Sequence, residues 1–391
     1  MVLWVTYLIK RVRWPFSDTF LLPVAVFISF LGMIFLCRLD PVLAEKQAVR
    51  VALGLGAVGL LSFLPGYRAL VEFKYLAAAV ALSLLAATLV FGVAVGGAKS
   101  WLEIGPIRFE PVELVKLLLV VFLAGYLEDQ NELLRVNWKS LMGIGMPAPQ
   151  ATLPLLVIWG ISLLLVAFQR DLGGALLLFL TFMVMLFLAT GRRWYLGFGG
   201  VLLVLGVLFS YFTFDHVRER VGAWLNPWPE AHGTGYQLVQ GLFGIAGGGL
   251  LGTGLGGGHP ELVPAVATDY LFVALAEEMG LAGSLGLISL YTALVCRGFR
   301  VAMLAKDLAG SLLAAGSTAL LALQALVILG GILRFMPLTG VTLPFFSYGG
   351  SSTLVSYLFV GLLLKVSYES GRLRRQVSVG ADLPVGMVFD K

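Results

Sequence analysis

Cysteine is nearly missing from this chain: Cys37 and Cys296 are the only two. Two such distant thiols build neither a disulfide framework nor a thiolate metal site. Histidine is almost as scarce, and His216, His232 and His259 are too scattered for a metal-ligand spacing. Charged residues make up 13% of the 391, too few to cover the surface of a soluble protein. No stretch interleaves basic and aromatic residues in the manner of a nucleic-acid groove, so no nucleic-acid partner is expected. The G-x-S-x-G turn of a hydrolase nucleophile is absent as well.

Apolar residues fill that space. They make up 59% of the chain, and the mean hydropathy is +0.93. Ten segments are long and apolar enough to span a bilayer, centred near 18–37, 48–66, 74–95, 110–127, 151–168, 172–190, 194–214, 269–296, 309–334 and 351–368. The first is a full span of about 20 residues with no small-residue cleavage site after it, which reads as a retained helix rather than a signal peptide. The expected fold class is all-α: a polytopic membrane protein with about ten transmembrane helices and a large structured outer loop between the seventh and eighth. It is read as a single integral-membrane domain over 1–391, with a cytoplasmic N-terminus (1–17), an extracellular loop (215–268) and a cytoplasmic tail (369–391), the tail poorly ordered.

Orientation follows from basic residues. With the N-terminus inside, Lys10, Arg11 and Arg13 are cytoplasmic, and so are Arg68 and Lys74, Arg135 and Lys139, Arg192 and Arg193, Arg297, Arg300 and Lys306, and Arg372, Arg374 and Arg375. The linker 129–150 falls on the same face. Cys37 and Cys296 then lie at opposite faces. The formal net charge of +5 fits basic turns against anionic lipid heads.

Four polar clusters fall at the outer ends of the spans. In residues 96–116, Glu113 and Lys116 stand three apart on one helix face. Charges at membrane depth face an interior, so this pair is either a helix-to-helix tie or part of a substrate site. In the second cluster, Gln169-Arg170-Asp171 joins two spans with almost no loop. Asp171 suits an N-cap there, while Gln169 and Arg170 are left to face a cavity.

The third cluster is the glycine-rich run from Thr234 to Gly280. It is too polar for a span, so its backbone must be satisfied by protein or by a wet cavity. Its closely spaced glycines suit either an anion nest or close helix packing. Ahead of it, residues 215–230 mix tryptophan with charge, as an interfacial element does. At its end Asp269 precedes a helix, as a cap or as a reactive group, and Glu277 and Glu278 follow inside the helix. The fourth cluster, 336–354, ends in Ser351 and Ser352, placed to cap the last span.

LPFFSYGGSS (343–352), ATDYLFVALAEEMG (267–280), FEPVELVK (109–116), QRDLGGAL (169–176) and NPWPEAHGTGYQ (226–237) together resemble, in order, the signatures of the SEDS family of RodA, FtsW and SpoVE proteins. The resemblance covers essentially the whole chain. It departs from the family pattern at Ala267, where histidine is usual, at Glu110-Pro111-Val112-Glu113 and at Gln169-Arg170-Asp171. It implies a peptidoglycan glycosyltransferase of the cytoplasmic membrane. Such an enzyme polymerises lipid II on the outer face beside a class B penicillin-binding protein, in elongation, division or sporulation. It implies Asp269 as the essential carboxylate, in Thr268-Asp269-Tyr270-Leu271-Phe272, with Glu113 and Lys116 as the accompanying pair. Substrate contacts are implied at Gln169, Arg170, Asp171, Tyr236, Gln237, Thr268, Ser347, Gly349, Gly350, Ser351 and Ser352.

The reaction joins a sugar hydroxyl to an anomeric carbon that carries a lipid pyrophosphate. It calls for a base, expected at Asp269, and for positive charge at the pyrophosphate, from Lys116, outer arginines or a divalent cation such as Mg or Mn. A lipid-linked sugar flippase and a non-catalytic scaffold for cell-wall synthases are the competing readings. Clustering of the motifs at one face favours the enzyme.

Overall fold

The computed structural model describes residues 14–95, 98–105, 107–135, 139–141, 144–146 and 148–381. Expectations for 1–13 and 382–391, and for parts of the 129–150 linker, lie outside these residues. The chain is mostly helical. Among the described residues eight helices are long and apolar enough to cross a membrane. They are α1 (Leu21–Leu39), α4 (Lys74–Phe91), α7 (Pro149–Phe168), α8 (Leu172–Thr190), α9 (Trp194–Thr213), α12 (Leu271–Met303), α13 (Leu308–Ile332) and the greater part of α14 (Gly350–Ala381). Two further long helices, α2 (Pro41–Leu61) and α5 (Pro111–Asp129), stand where the remaining spans are expected. They carry more charge, including Glu45, Lys46 and Arg50 in α2 and Glu113 and Lys116 in α5.

Caps explain several boundaries. Asp40 accepts from the Val42 amide and Pro41 opens α2, so this helix starts well before the expected 48. Asp171 Oδ1 accepts from the Gly174 amide at 2.9 Å and starts α8. The last helix runs past the expected end at 368 as far as Ala381. The polar residues that suggested a loose tail extend this helix beyond its apolar part.

Short elements fill the connections: α3 (Tyr67–Glu72), α6 (Asn131–Arg135), α10 (Asp215–Leu225) and α11 (Tyr236–Gly248). Strands β1 (Val93–Val95), β2 (Ala98–Ile104) and β3 (Ile107–Phe109) form an antiparallel sheet, with Leu102 opposite Phe109 and Glu103 opposite Arg108. Strands β4 (Lys139–Leu141) and β5 (Ile144–Met146) form a hairpin in the linker. An all-α reading omits these strands: four have three residues each, and β2, reading AKSWLEI, has no two-residue alternation.

The core gathers around α13, which packs on α5, α8, α12 and α14. Small residues Gly310, Ala314, Ala315, Gly316 and Ser317 are buried along α13 and let its neighbours approach closely. Arg68 ties the bundle end opposite Asp269, 3.1 Å from Glu128 and 3.0 Å from Asp307.

The glycine-rich run does not stay open. Helix α12 is broken at Gly280, whose φ of 63° and ψ of −161° are not helical. The segment after α11 docks into the break. Thr253 N donates to Glu277 O and Gly254 N to Glu278 O, while Leu281 N and Ala282 N donate to Gly249 O and Leu250 O. A Cβ on Gly280 would overlap the Gly252 amide and the Leu250 carbonyl. The expected anion nest is therefore closed at Thr253 and Gly254, whose amides are taken by carbonyls. Glu278, fully buried, is paired with Arg38 of α1, which also donates to the Gly258 carbonyl at 2.6 Å. Glu277 accepts from the His259 amide at 2.8 Å.

Candidate active site

Helix α5 brings the first polar cluster inward. Proline at its first position and Glu113 in its first turn suit a helix N-terminus. Lys116 Nζ lies 2.8 Å from Glu113 Oε2 and 3.1 Å from Gln324 Oε1 of α13, with the lysine 1% and the glutamate 5% exposed. Gln324 passes the connection on: its Nε2 donates to Thr342 O at 2.9 Å and approaches Ser352 Oγ at 3.4 Å. Thr342 Oγ1 donates to Ser352 Oγ at 2.8 Å. Ser351 Oγ accepts from the Glu110 amide at 2.9 Å. Both serines lie inside α14 rather than ahead of it, and these hydroxyls tie the helix to its neighbours instead of capping it.

The 343–350 turn is held in the same way. Ser347 Oγ accepts from Leu343 N at 3.2 Å. Gln47 Nε2 donates to Ser347 O at 3.2 Å and to Thr353 Oγ1 at 2.9 Å, and its Oε1 lies 3.4 Å from the Gly349 amide. The Arg50 guanidinium lies 4.1 Å from the Tyr348 ring centre and beside Gly350, and its Nη1 is buried with no hydrogen-bond partner among the described residues.

Asp269 sits on the loop ahead of α12. Tyr270 is the N-cap, with no side-chain cap bond, so Asp269 does not cap this helix. Its carboxyl is half-buried beside the Thr268 hydroxyl and the Arg220 guanidinium of α10. Burial pushes it above the usual carboxylate range, while Thr268 and Arg220 pull it back down. Gly340, at φ 73°, lets the chain pass between the two groups: a Cβ there would stand 3.7 Å from Arg220 Nη2 and 3.8 Å from Asp269 Oδ2. Thr268 Oγ1 also lies 3.1 Å from Ala265 O, and Tyr348 N donates to Ala267 O at 2.9 Å, which joins this loop to the 343–350 turn.

The clusters converge. Glu110 lies within electrostatic reach of Glu113, Asp171, Lys116 and Asp269. Asp171 is within reach of Lys116, Glu113 and Arg220, and burial raises its carboxyl against the lowering pull of the Gly174 amide. Of the other expected residues, Gln169 and Gln237 are bonded into the frame. Gln169 is buried and donates through Nε2 to Leu85 O at 2.9 Å, with Oε1 left unpartnered among the described residues. Arg170 is exposed at φ 62°. Gln237 Nε2 donates to Pro264 O at 2.8 Å, which braces the loop that leads to Asp269. Tyr236, next to it, is half-buried at the start of α11.

Sequence reasoning missed Gln324 and Gln47, and it took Arg50 and Arg220 only as two of several outer arginines. Arg220 lies in a charged stretch that reads as interfacial. Gln324 is a single polar residue in an apolar run, while Gln47 and Arg50 sit beside Glu45 and Lys46 near the start of α2. Among the described residues no group of three or more His, Cys, Asp or Glu side chains could hold a metal ion, so the residues present do not make a cation cage.

A family model described as Cell cycle protein, covering FtsW, RodA and SpoVE, matches residues 13–372. The peptidoglycan glycosyltransferase RodA of Mycobacterium tuberculosis (strain ATCC 25618 / H37Rv) is 39% identical over 372 residues, covering 92% of this chain and 79% of the relative. Stage V sporulation protein E of Bacillus subtilis (strain 168) is 34% identical over 281 residues, covering 71% of this chain and 74% of the relative. A solved structure described as "Structural coordination of polymerization and crosslinking by a peptidoglycan synthase complex" superposes with a TM-score of 0.77 at 32% identity, covering 90% of this chain and 98% of that one. The rod shape determining protein RodA of Thermus thermophilus gives a TM-score of 0.65 at 31% identity, over 90% and 97% of the two chains. The chain is a multi-pass membrane protein and belongs to the FtsW/RodA/SpoVE family.

Proposed function

We propose that this chain is a peptidoglycan glycosyltransferase that polymerises lipid II on the outer face of the cytoplasmic membrane, with both termini inside and a class B penicillin-binding protein as its partner. The observation that carries the reaction class is the likeness to a peptidoglycan glycosyltransferase at 39% identity over 92% of the chain. In this reading the ten long helices all cross the bilayer.

In the reaction the acceptor's 4-hydroxyl attacks the anomeric carbon of the donor. The new C–O bond forms as the bond to the lipid pyrophosphate breaks, the hydroxyl proton passes to a base, and the lipid pyrophosphate leaves with the bonding electrons. Asp269 is the base: it is reachable, it caps nothing, and its partial burial makes it a stronger base than a free aspartate. Arg220, exposed beside it, and Arg50, with a free buried N–H, are the cations suited to the pyrophosphate. Glu113 and Lys116 are positioning residues here. They are sealed against each other and lock α5 to α13 through Gln324, which fixes the floor on which Ser351 and Ser352 are tied.

The test is lipid II polymerisation in proteoliposomes by purified protein with its partner, wild type against Asp269→Ala. Polymer from the wild type alone supports the enzyme. Equal polymer from the variant removes Asp269 from the chemistry. Translocation of labelled lipid II without polymer would favour the flippase reading instead.

A further inference from the structure

At the bundle end away from Asp269, a cavity of about 220 Å³ opens between the entry to α1, the last turns of α12 and the far half of α14. Three guanidiniums line it, from Arg297, Arg300 and Arg374, against one carboxylate, Asp18. That carboxylate is already engaged. Its Oδ2 lies 3.3 Å from Arg297 Nε, and its Oδ1 accepts from the amides of Phe20 at 2.9 Å and Leu21 at 3.3 Å. Arg374 donates to the Leu304 carbonyl, which neutralises nothing. Arg300 is exposed, and its guanidinium has no hydrogen bond or ion pair among the described residues. The wall therefore carries positive charge in excess. Ser367 and Ser370 brace it, the first accepting from the Asp18 amide at 2.9 Å and the second from the Lys306 amide at 3.2 Å.

The rim differs from the wall. The Phe20 ring lies 4.4 Å from the Arg297 guanidinium and is 56% exposed, and Leu304, on the cavity's edge, is 41% exposed. From Phe20 an exposed stripe continues along α1 through Phe27, Phe30 and Ile34 at helical spacing. Cationic walls that open directly onto a lipid-facing apolar stripe match one chemistry: an anionic head that carries a hydrocarbon tail. We propose that this cavity binds the phosphate headgroup of an anionic glycerophospholipid from the leaflet at that end, with its acyl chain laid along the α1 stripe. Free phosphate shares the guanidinium chemistry but gains nothing from the stripe.

The experiment is native mass spectrometry of the full-length protein in detergent, titrated with dioleoylphosphatidylglycerol, with dioleoylphosphatidylcholine, and with phosphatidylglycerol in the presence of excess inorganic phosphate. The variants are Arg300→Gln, Arg374→Gln and the charge-matched control Arg193→Gln, each checked for folding by its melting curve. Phosphatidylglycerol should be retained over phosphatidylcholine. Each cavity variant should weaken it about fivefold, the worth of one basic residue near an anionic lipid surface, with the control unchanged. Inorganic phosphate should leave the lipid in place. Equal binding of the two lipids, equal weakening by the control, or displacement by phosphate would each overturn the proposal.

Discussion

Two pairs of opposite charge meet in the candidate site, and they differ in what surrounds them. Lys116 and Glu113 are buried, 2.8 Å apart, with Gln324 on the lysine's other side. Asp269 and Arg220 lie on a loop and a surface helix, with Gly340 passing between them and solvent at hand. A sealed pair has its charges matched by neighbours that cannot leave, which suits it to holding shape. An open carboxylate, partly desolvated, keeps a lone pair that a hydroxyl proton can reach. In the proposed mechanism the same residue types therefore serve architecture in one place and chemistry in the other.

The largest effect should come from breaking the sealed pair on one side only. Lys116→Ala or Glu113→Ala strands a buried charge, at a cost on the order of 3–5 kcal/mol. Thermal melts should show both single variants destabilised and less active, and the double variant less destabilised than the sum. Full stability and full activity of both singles would end the distinction between the pairs.

On the open side the expected loss is in rate, not in fold. Asp269→Ala and Asp269→Asn should each lose at least about 10²-fold in lipid II polymerisation. Their melting temperature and partner pull-down should stay close to wild type, because Asp269 makes no cap bond. Near-normal polymer from Asp269→Asn would return this residue to a structural role.

Arg220 sharpens the comparison further. It holds the Asp269 carboxyl down against the upward push of burial. The base works deprotonated, so activity should fall as pH falls through the pKa of Asp269. Arg220→Gln should raise that pKa and move the acid limb of the pH–rate profile to higher pH. At neutral pH the loss through the base alone should be small, up to about fivefold, since the arginine is exposed, and loss of its pyrophosphate contact should appear separately as a raised KM for lipid II. A limb that stays in place or moves to lower pH would separate the two residues.

The smallest effect concerns orientation. Cys37 and Cys296 are free and exposed, one at the end of α1 near Arg38 and one in the far half of α12. A membrane-impermeant thiol reagent added to intact cells should label at most Cys37. Labelling of Cys296 alone would place the open pair on the inner side.

The helices were legible because apolar length is a strong signal, and the Glu113–Lys116 pair because two charges three apart in an apolar run leave few other places to go. Asp269 was legible by its motif, and its lack of a cap bond only from the structure. Contacts between distant segments carried no local mark. Gln324 reaches Lys116 across 208 positions of chain, and nothing near Gln324 announces the lysine. Arg38 is in the last turn of α1 and Glu278 is an acid 240 positions further on (278 − 38), yet they are partners. Strands of three residues were invisible for want of length.

The break in α12 at Gly280 has a bearing on mutational tolerance. Gly248, Gly252 and Gly280 each stand where a Cβ would overlap another backbone: the Ala276 carbonyl, the Glu278 carbonyl and the Gly252 amide. None of them carries a group that reacts. A saturation library scored on growth would nonetheless find these three sites as unforgiving as Asp269, since even alanine pries the loop off the helix that Asp269 leads into. The nearby Gly247, Gly249, Gly254 and Gly256 have open space around the missing side chain, and the scan would separate them by backbone angle alone. Gly247, without a left-handed φ, should accept alanine, while the other three, with φ of 53°, 90° and 81°, should not.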